Sequence, residues 1–533
     1  MKTVLNSSDL SGFIENTCKI MGMDIDRISD EFALSAVGSL KNREIIKKGC
    51  SIAVFVGSGY KGIFGADISR ISRYGSVAAN VSIFMSEKMI DKDVICHVDL
   101  AKGYGCRVYK GIPKQISEYD HDIVIDALSD LSMPDGHDVF SKQASSIIHK
   151  MKGIKISLII PYGIEKDSAE ISECALKADI TISPNPGSPA LYLYPGCSMC
   201  GDILFTDTCL DNGRAADDVK DMIHIVESSK DIAMRPRVPF GNKGTFGKLL
   251  VIAGHKNVCG AAMLACRSAY RSGCGMVRLL TTESNRVIIQ ESIPEVILDT
   301  YPDDEDLYED DKISDSDQYP VFNMHSEQIT EKSLTRNLEK DIRWADRILI
   351  GPGLGTGASA SSLVRSVSRI TDRPIVFDAD ALNIISDNDD IRDEIRKNGN
   401  DHIIMTPHMG ELSRLLGGIG IDEIKKDWIS YVRRLSDDLG TVVVSKDART
   451  LVTSPFSKDC YINIRGSSAM ATAGSGDVLA GITAALSDED TDPVISAVRS
   501  VMLHAEAGER ASGDKCKEAV MAGDIAEDII FDT

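Results

Sequence analysis

The chain has 533 residues, 43% apolar and 26% charged, an ordinary composition for a globular protein with room for several domains. No apolar stretch approaches the roughly 18 residues that span a bilayer, and the first residues do not resemble a secretory signal, so we expect a cytoplasmic protein without a membrane partner. The net charge of −21 repels polyanions and argues against nucleic acid as a partner. Thirteen scattered cysteines, an odd number, are typical of free thiols in a reducing compartment.

The first half alternates short, β-branched apolar runs with longer segments. This pattern predicts buried parallel strands joined by crossover helices, so the fold class is α/β. The predicted strands are Ser51–Val56, Asp93–Val98, Asp122–Ile125, Ile156–Ile160, Asp179–Ile182 and Asp202–Phe205.

A second α/β series follows a polar segment that breaks at Pro236 and Pro239. We therefore predict two domains, at residues 1–228 and 229–533. The second series ends in three helical segments from about Val478 onward. Its predicted strands are Lys248–Ile252, Met276–Leu280, Arg347–Ile350, Pro374–Phe377, Ile403–Met405 and Thr441–Val444.

A glycine-rich turn, Ala471–Gly474 with Gly476, directly precedes an apolar helical run. Backbone N–H groups near Gly474 and Gly476 can surround an anion, and the positive end of the helix dipole points to the same place. Asp477 at the helix start can accept a proton from a hydroxyl that attacks a phosphate. The alternative is that Asp477 serves only as a helix-capping carboxylate.

Four polar turns follow successive predicted strands, so we expect them to line one edge of the sheet, where open α/β sheets bind ligands. His408 lies in the third of them; a histidine alone is more often structural, but its neighbours here favour a binding role. The turns are Gly351–Gly355, Asp378–Asn383, Thr406–Glu411 and Lys446–Thr450.

These motifs together resemble the ribokinase-like NAD(P)H-hydrate dehydratase domain over most of residues 235–530. The resemblance implies a three-layer α/β/α domain in which a nucleotide phosphorylates the ring hydroxyl of hydrated NADH or NADPH, and loss of phosphate restores the dinucleotide. Beyond the four turns, the matching pieces are Lys243–Gly247, Gly260–Ala262, Arg271–Val277, Pro294–Val296, Ala473–Gly481 and Ala522–Ile525.

By this resemblance the substrates are (6S)-NADHX and NADPHX, the phosphoryl donor is ADP or ATP, and Mg²⁺ accompanies the transfer. Ala261, Gly353 and His408 are expected to line the hydrate pocket with Asp477, which acts at the substrate hydroxyl. The residues expected to hold the nucleotide are Lys446, Asp447, Ala448, Arg449, Thr450, Gly474, Ser475 and Gly476.

The first half resembles the Rossmann-like NAD(P)H-hydrate epimerase domain, which is often fused to the dehydratase. The matching pieces are Val56–Gly59, Ile125–Leu128, Ala178–Thr181 and Gly201–Asp207.

This half also departs from the epimerase pattern. The family's Asn-Asn-Gly-Gly-Asp loop is replaced by Tyr60, Lys61, Gly62, Ile63 and Phe64, and its Asp-x-Pro-Ser-Gly by Ile159–Gly163. Asp126, at the family's catalytic and potassium site, is retained. We hypothesise that the Lys61 ammonium takes the place of the potassium ion. Whether this half epimerises the R and S hydrates or serves as a scaffold stays open.

Two other functions remain possible on the sequence alone. A ribokinase-like kinase for a small-molecule alcohol needs the same phosphate-binding loop, and a nucleotide-binding scaffold without turnover could use both folds. In each case we expect a homo-oligomer, since members of the family often assemble.

Overall fold

The computed structural model describes residues 2–74, 78–89, 91–112, 121–128, 139–208, 210, 221–228, 237–304, 338–398, 402–488 and 491–531. The chain divides into two compact units, one of Lys2–Ile225 with Lys425–Asp427, the other of Val226–Ile424 with Trp428–Thr533. Pro236, at the predicted linker, lies outside the described residues. No helix in the described ranges is long and apolar enough to cross a membrane, and the twelve cysteines found there are all free.

The first unit contains a parallel sheet with the strand order β4-β3-β2-β5-β6-β7-β8. Short β1 pairs antiparallel with β9. The strands are β1 Lys2–Val4, β2 Cys50–Val56, β3 Ala78–Met85, β4 Arg107–Lys110, β5 Ile123–Ala127, β6 Ile154–Leu158, β7 Ile180–Pro184, β8 Asp202–Thr206 and β9 Met222–Val226. The helices are α1 Ser7–Met21, α2 Ile25–Asn42, α3 Gly59–Tyr74, α4 Lys92–Gly103 and α5 Val139–Lys150.

One predicted strand of this unit is wrong: Asp93–Val98 lies within helix α4. The Asp91 carboxylate caps α4 by accepting hydrogen bonds from the backbone N–H groups of Asp93 and Val94, at 3.1 and 3.2 Å. The buried residues of α4 recur at helical spacing, so the short apolar run reflects one helix face. The strand beside β2 is instead Ala78–Met85, which the sequence analysis missed. The other five predicted strands of this half are confirmed.

In the second unit, all six predicted strands and the three C-terminal helices are confirmed. Strands β12-β11-β10-β13-β14-β15-β16 run parallel in that order, and β17 and β18 continue the sheet antiparallel. The strands are β10 Lys248–Ile252, β11 Met276–Thr282, β12 Ile297–Tyr301, β13 Arg347–Ile350, β14 Ile375–Phe377, β15 Ile403–Met405, β16 Val442–Lys446, β17 Thr450–Thr453 and β18 Asp459–Asn463.

The helices of the second unit surround this sheet, and α14 packs most extensively against α6. They are α6 Cys259–Arg271, α7 Arg286–Ser292, α8 Ala358–Val367, α9 Asp380–Asp387, α10 Asp389–Asn398, α11 Met409–Leu415, α12 Ile421–Lys426, α13 Trp428–Leu439, α14 Ser475–Leu486, α15 Pro493–Asp514 and α16 Ala522–Glu527. Both units are therefore α/β, as predicted.

Strands β13, β14, β15 and β16 are consecutive neighbours in the sheet and run parallel. Their carboxyl ends therefore lie along one edge, and each is followed by one of the four polar turns found in the sequence. An isolated bridge between His408 and Lys446 joins two of these turns directly. The sheet order thus brings together residues from positions 351 to 450.

Candidate active site

The glycine-rich turn leads straight into α14. Gly474 has φ +91°, in the left-handed region, and a Cβ there would lie 2.5 Å from Leu264 Cδ1. Only glycine therefore fits this turn without strain. A Cβ on Gly476, in the first turn of α14, would lie 3.5 Å from the Lys446 Nζ atom. The start of α14 thus places the backbone N–H groups of the first helical turn, the positive end of a dipole and an ammonium group together.

Asp477 follows in the same turn of α14, among other carboxylates. Burial raises its pKa to about 7, and the charges of Asp378, Asp380 and Glu411 act in the same direction, while Lys446 opposes them. A carboxyl group that titrates near neutrality is suited to accept a proton from a substrate hydroxyl.

Lys446 is the cation among these carboxylates. Its Nζ atom lies 2.7 Å from Asp378 Oδ1, and the Thr406 hydroxyl donates to the same oxygen at 2.6 Å. Burial disfavours the charged lysine, but Asp378 and Glu411 outweigh it and raise the pKa of Lys446. Lys446 therefore stays charged at neutral pH and can attract a phosphate.

His408 and Glu411 form a capping box at the start of α11. The Nδ1 atom of His408 accepts hydrogen bonds from the N–H groups of Gly410 and Glu411, and Glu411 Oε2 accepts one from the His408 N–H at 2.9 Å. Burial and the nearby Lys446 and Arg414 lower the pKa of His408, whereas burial raises that of Glu411 to about 7. His408 is therefore a neutral imidazole at neutral pH, with half of its side chain exposed.

Gly353 and Ala261 face each other across the turn after β13. With φ +57°, Gly353 is again left-handed, and a Cβ there would lie 2.8 Å from the Ala261 Cβ. The same turn is held by Asp380, whose Oδ2 atom accepts a hydrogen bond from the Gly355 N–H at 2.8 Å. The two residues therefore approach each other too closely for a larger side chain at position 353.

The hairpin after β16 carries the other expected nucleotide-binding residues. Lys446 pairs with Thr450 across it, and the Asp447 N–H donates to the Arg449 carbonyl at 2.9 Å. The Arg449 guanidinium donates to the Ile464 carbonyl. Ala448 lies at the tip of the hairpin. The side chain of Lys446 brings its charge to the start of α14.

In the first unit, Lys61 and Asp126 form a buried ion pair. Lys61 Nζ lies 3.1 Å from Asp126 Oδ2 and donates to the Ile160 carbonyl at 2.7 Å. The side chains are 1% and 3% exposed. Burial lowers the pKa of Lys61, although Asp126 opposes this effect. The Lys61 amino group therefore sits at the carboxylate, in the position that the replacement hypothesis requires.

The Asp126 carboxylate also accepts hydrogen bonds on both oxygens from within the unit. Oδ2 accepts from the Ser157 hydroxyl at 2.9 Å and the Tyr162 N–H at 2.8 Å, and Oδ1 accepts from the Leu128 N–H at 3.0 Å. The residues that replace the family's loop lie in the first turns of helix α3: Ile63 and Phe64 are buried, Gly62 packs against Gly57, and Tyr60 is half-buried. The start of α3 thus brings Lys61 to a carboxylate whose two oxygens both accept hydrogen bonds.

The sequence model of the NAD(P)H-hydrate dehydratase family matches residues 249–530, more than half of the chain. The chain belongs to this family. The model of the N-terminus of YjeF-related proteins matches residues 30–185. The NAD(P)H-hydrate dehydratase match contains every residue that we assign to the hydrate and nucleotide pockets.

Relatives of this NAD(P)H-hydrate dehydratase family member cover one or both units. The chain is 24% identical to the bifunctional NAD(P)H-hydrate repair enzyme Nnr of Moorella thermoacetica, over 92% of this chain and 83% of the relative. It is 33% identical to the ADP-dependent (S)-NAD(P)H-hydrate dehydratase of Neisseria meningitidis, over 55% of this chain and 86% of the relative.

Among solved structures, an ADP/ATP-dependent NAD(P)H-hydrate dehydratase of Bacillus subtilis is 25% identical, over 56% of this chain and 92% of that chain, with a TM-score of 0.42.

Sequence reasoning missed several residues that meet at the site of this NAD(P)H-hydrate dehydratase family member. Asp378 and Glu411 lie in motifs that were recognised, but no role was assigned to either side chain. Their position at strand ends was the available signal. His504 was missed for lack of any local signal: it lies inside α15, its Nε2 atom is 3.3 Å from the Ser475 hydroxyl, and burial lowers its pKa to about 4.

Proposed function

We propose that the second unit dehydrates (6S)-NADHX and NADPHX in a reaction that consumes a nucleotide. The name of the Neisseria relative supports ADP as the phosphoryl donor. The observation that carries the proposal is the grouping of Lys446, the start of α14 and Asp477. It combines an anion-binding surface with a carboxyl group poised near neutrality. Family membership supports the choice of substrate.

In the proposed reaction the N–H groups of α14 and the Lys446 ammonium hold the donor's phosphates. Asp477 accepts the proton of the ring hydroxyl as its oxygen attacks the terminal phosphorus, and AMP leaves when ADP is the donor. The carbon–oxygen bond then breaks with phosphate as the leaving group. Loss of a proton from the adjacent ring carbon restores the dihydronicotinamide. Phosphorylation is needed because hydroxide is a poor leaving group.

Mg²⁺ fits this site together with the nucleotide. The described residues hold no group of three histidine, cysteine or acidic side chains that could bind a metal ion alone. Mg²⁺ is commonly bound by substrate phosphates with one or two carboxylates, so the phosphates of the donor would supply its first contacts here. When bound, the ion would neutralise charge on the transferred phosphoryl group.

Incubation of the full-length protein with purified (6S)-NADHX and ADP or ATP tests the proposal. We expect the NADH absorbance to return with at least one nucleotide, with AMP or ADP released in equal amount. A kinase of the same fold would consume nucleotide on another alcohol and leave the hydrate unchanged. Failure with both nucleotides, on NADHX and NADPHX alike, would overturn the proposal, and a scaffold would bind nucleotide without turnover.

For the first unit we propose R/S epimerisation of the hydrate without potassium, in line with the bifunctional name of the Moorella relative. The scaffold alternative is equally compatible with the internal hydrogen bonds of Asp126. An assay starting from the pure R hydrate decides between them: only an epimerase makes the full-length protein recover NADH faster than spontaneous epimerisation allows.

We predict that potassium has no effect on the first unit, because the Lys61 ammonium already neutralises Asp126. Epimerisation rate and thermal stability are expected to be the same in potassium, sodium and tetramethylammonium chloride at equal ionic strength. Titrations with each salt measure both quantities. Activation by potassium, or a potassium ion bound beside Asp126 in an experimental structure, would contradict the prediction.

We further propose that the protein works in the cytoplasm as a homo-oligomer. The free thiols of the described residues support a reducing compartment.

A further inference from the structure

Three residues at the carboxyl ends of three neighbouring strands meet in one buried contact. Asp378 follows β14, Thr406 follows β15, and Lys446 ends β16. The Lys446 ammonium and the Thr406 hydroxyl both donate to Oδ1 of Asp378, at 2.7 and 2.6 Å. Asp378 is 1% exposed and Thr406 fully buried, so neither can exchange this contact for water.

We propose that Asp378 is a positioning residue of the dehydration reaction: it anchors the Lys446 ammonium at the first turn of α14, and Thr406 in turn anchors Asp378. The inference goes beyond the proposed function by giving a role to two residues that act through the Lys446 ammonium. Its kinetic test rests on that function.

The need for an anchor follows from the lysine side chain. Its four-carbon stem has several rotatable bonds, and a flexible ammonium group would pair with whichever carboxylate it reaches. Asp477 carries such a carboxylate one residue from Gly476, where a Cβ would lie 3.5 Å from Nζ. Within the described residues, Lys446 forms an ion pair with Asp378 and no ion pair with Asp477. Asp378 thus keeps the positive charge where phosphates bind and leaves Asp477 able to accept a proton.

Asp378 also acts on Asp477 through its charge. The negative charge of Asp378 raises the pKa of Asp477 after burial does, while Lys446 lowers it. Replacing Asp378 by the neutral, isosteric asparagine removes the negative charge that raises the pKa of Asp477. It also frees Lys446 to approach Asp477 and lower this pKa further. The pKa of Asp477 must then fall, and a merely structural role of Asp378 would not produce this change.

The test compares Asp378→Asn, Thr406→Val and Thr406→Ser with the wild type. For Asp378→Asn we expect ADP to bind about tenfold more weakly or worse in calorimetry, and the acidic limb of the kcat–pH profile to move to lower pH. Thr406→Val should shift both quantities in the same direction but less, and Thr406→Ser, which keeps the hydroxyl, should restore them. Asp390→Asn, at an 84% exposed side chain on α10, is the control that changes neither.

Wild-type ADP affinity together with an unmoved acidic limb in Asp378→Asn would overturn the inference. If the wild type shows no turnover, the proposed function fails, and the carbon NMR titration of the Asp477 carboxyl replaces the kinetic profile. An unchanged titration in Asp378→Asn then overturns the inference separately. If thermal melts show that Asp378→Asn is unfolded, the near-isosteric Thr406→Val and Thr406→Ser pair decides by the same measurements.

Discussion

Replacing Asp477 with asparagine is expected to slow NADH recovery by about 10²- to 10⁴-fold, the usual contribution of a general base, while ADP binding is retained. The amide keeps the shape of the side chain in the first turn of α14 but cannot accept the hydroxyl proton. Steady-state rates and calorimetry with ADP measure the two effects. Wild-type turnover in Asp477→Asn would show that Asp477 only caps the helix.

The role of Asp477 as a base also predicts how the rate of NADH recovery depends on pH. The base works as the carboxylate, and burial raises the pKa of Asp477 to about 7, so the wild-type rate should rise with pH and level off above about pH 7. Burial also raises the pKa of Glu411 to about 7. Glu411→Gln separates the two groups, because the limb should persist in that variant if Asp477 is its source.

The stability of the folded protein should fall over the pH range in which the rate rises. The unfolded state loses the Asp477 proton near its ordinary pKa of 3.8, whereas the folded state keeps it until about pH 7. The folded state therefore binds more protons between these values, and the contribution of Asp477 to stability falls as pH rises through this window. Asp477→Asn is expected to melt at a higher temperature than the wild type at about pH 8, with little difference near pH 4.

Gly476→Ala is expected to weaken nucleotide binding at least about tenfold without loss of stability. The added Cβ would lie 3.5 Å from Lys446 Nζ, an ordinary contact, so the free protein accommodates it. Alanine is favoured over glycine within helices by about 0.5–1 kcal/mol, so the melting temperature should hold or rise. The methyl group occupies the space through which a phosphate would approach the N–H groups of α14.

Two other glycines make this experiment selective. Gly38, within α2, has no atom within 4 Å of an added Cβ, so Gly38→Ala should preserve both binding and stability. Gly474→Ala places a Cβ 2.5 Å from Leu264 in a left-handed residue and should lower the melting temperature as well as the affinity. Unchanged ADP affinity in Gly476→Ala would argue against phosphate binding at this turn.

Strand ends and glycine turns were the parts of the structure that sequence reasoning predicted well. Each of the four turns follows a predicted parallel strand, and parallel order alone sets their carboxyl ends side by side. Gly474 was identified because it belongs to a glycine-rich turn directly before a helical run, and its left-handed conformation in the structure explains why glycine stands there. These features depend on residues that are close together in the chain, so they can be recognised in the sequence.

The side-chain contacts of the site could not be predicted in the same way. Lys446 meets Asp378 across 68 residues, and Ser475 meets His504 across 29, because the sheet order and the packing of α15 bring them together. The error at Asp93–Val98 has a different cause. A run of six mostly apolar residues is too short to distinguish a buried strand from one face of a helix.

The buried Lys61–Asp126 pair restricts how the first unit can change by mutation. A neutral residue at position 61 removes the buried cationic partner of Asp126, and breaking such a pair by removing one partner typically costs about 3–5 kcal/mol. A single substitution at either position is therefore penalised, and a joint change to an apolar pair would leave the Ser157 hydroxyl and the Leu128 and Tyr162 N–H groups without their acceptor. We expect Lys61 to be replaceable only where another cation takes its place beside Asp126.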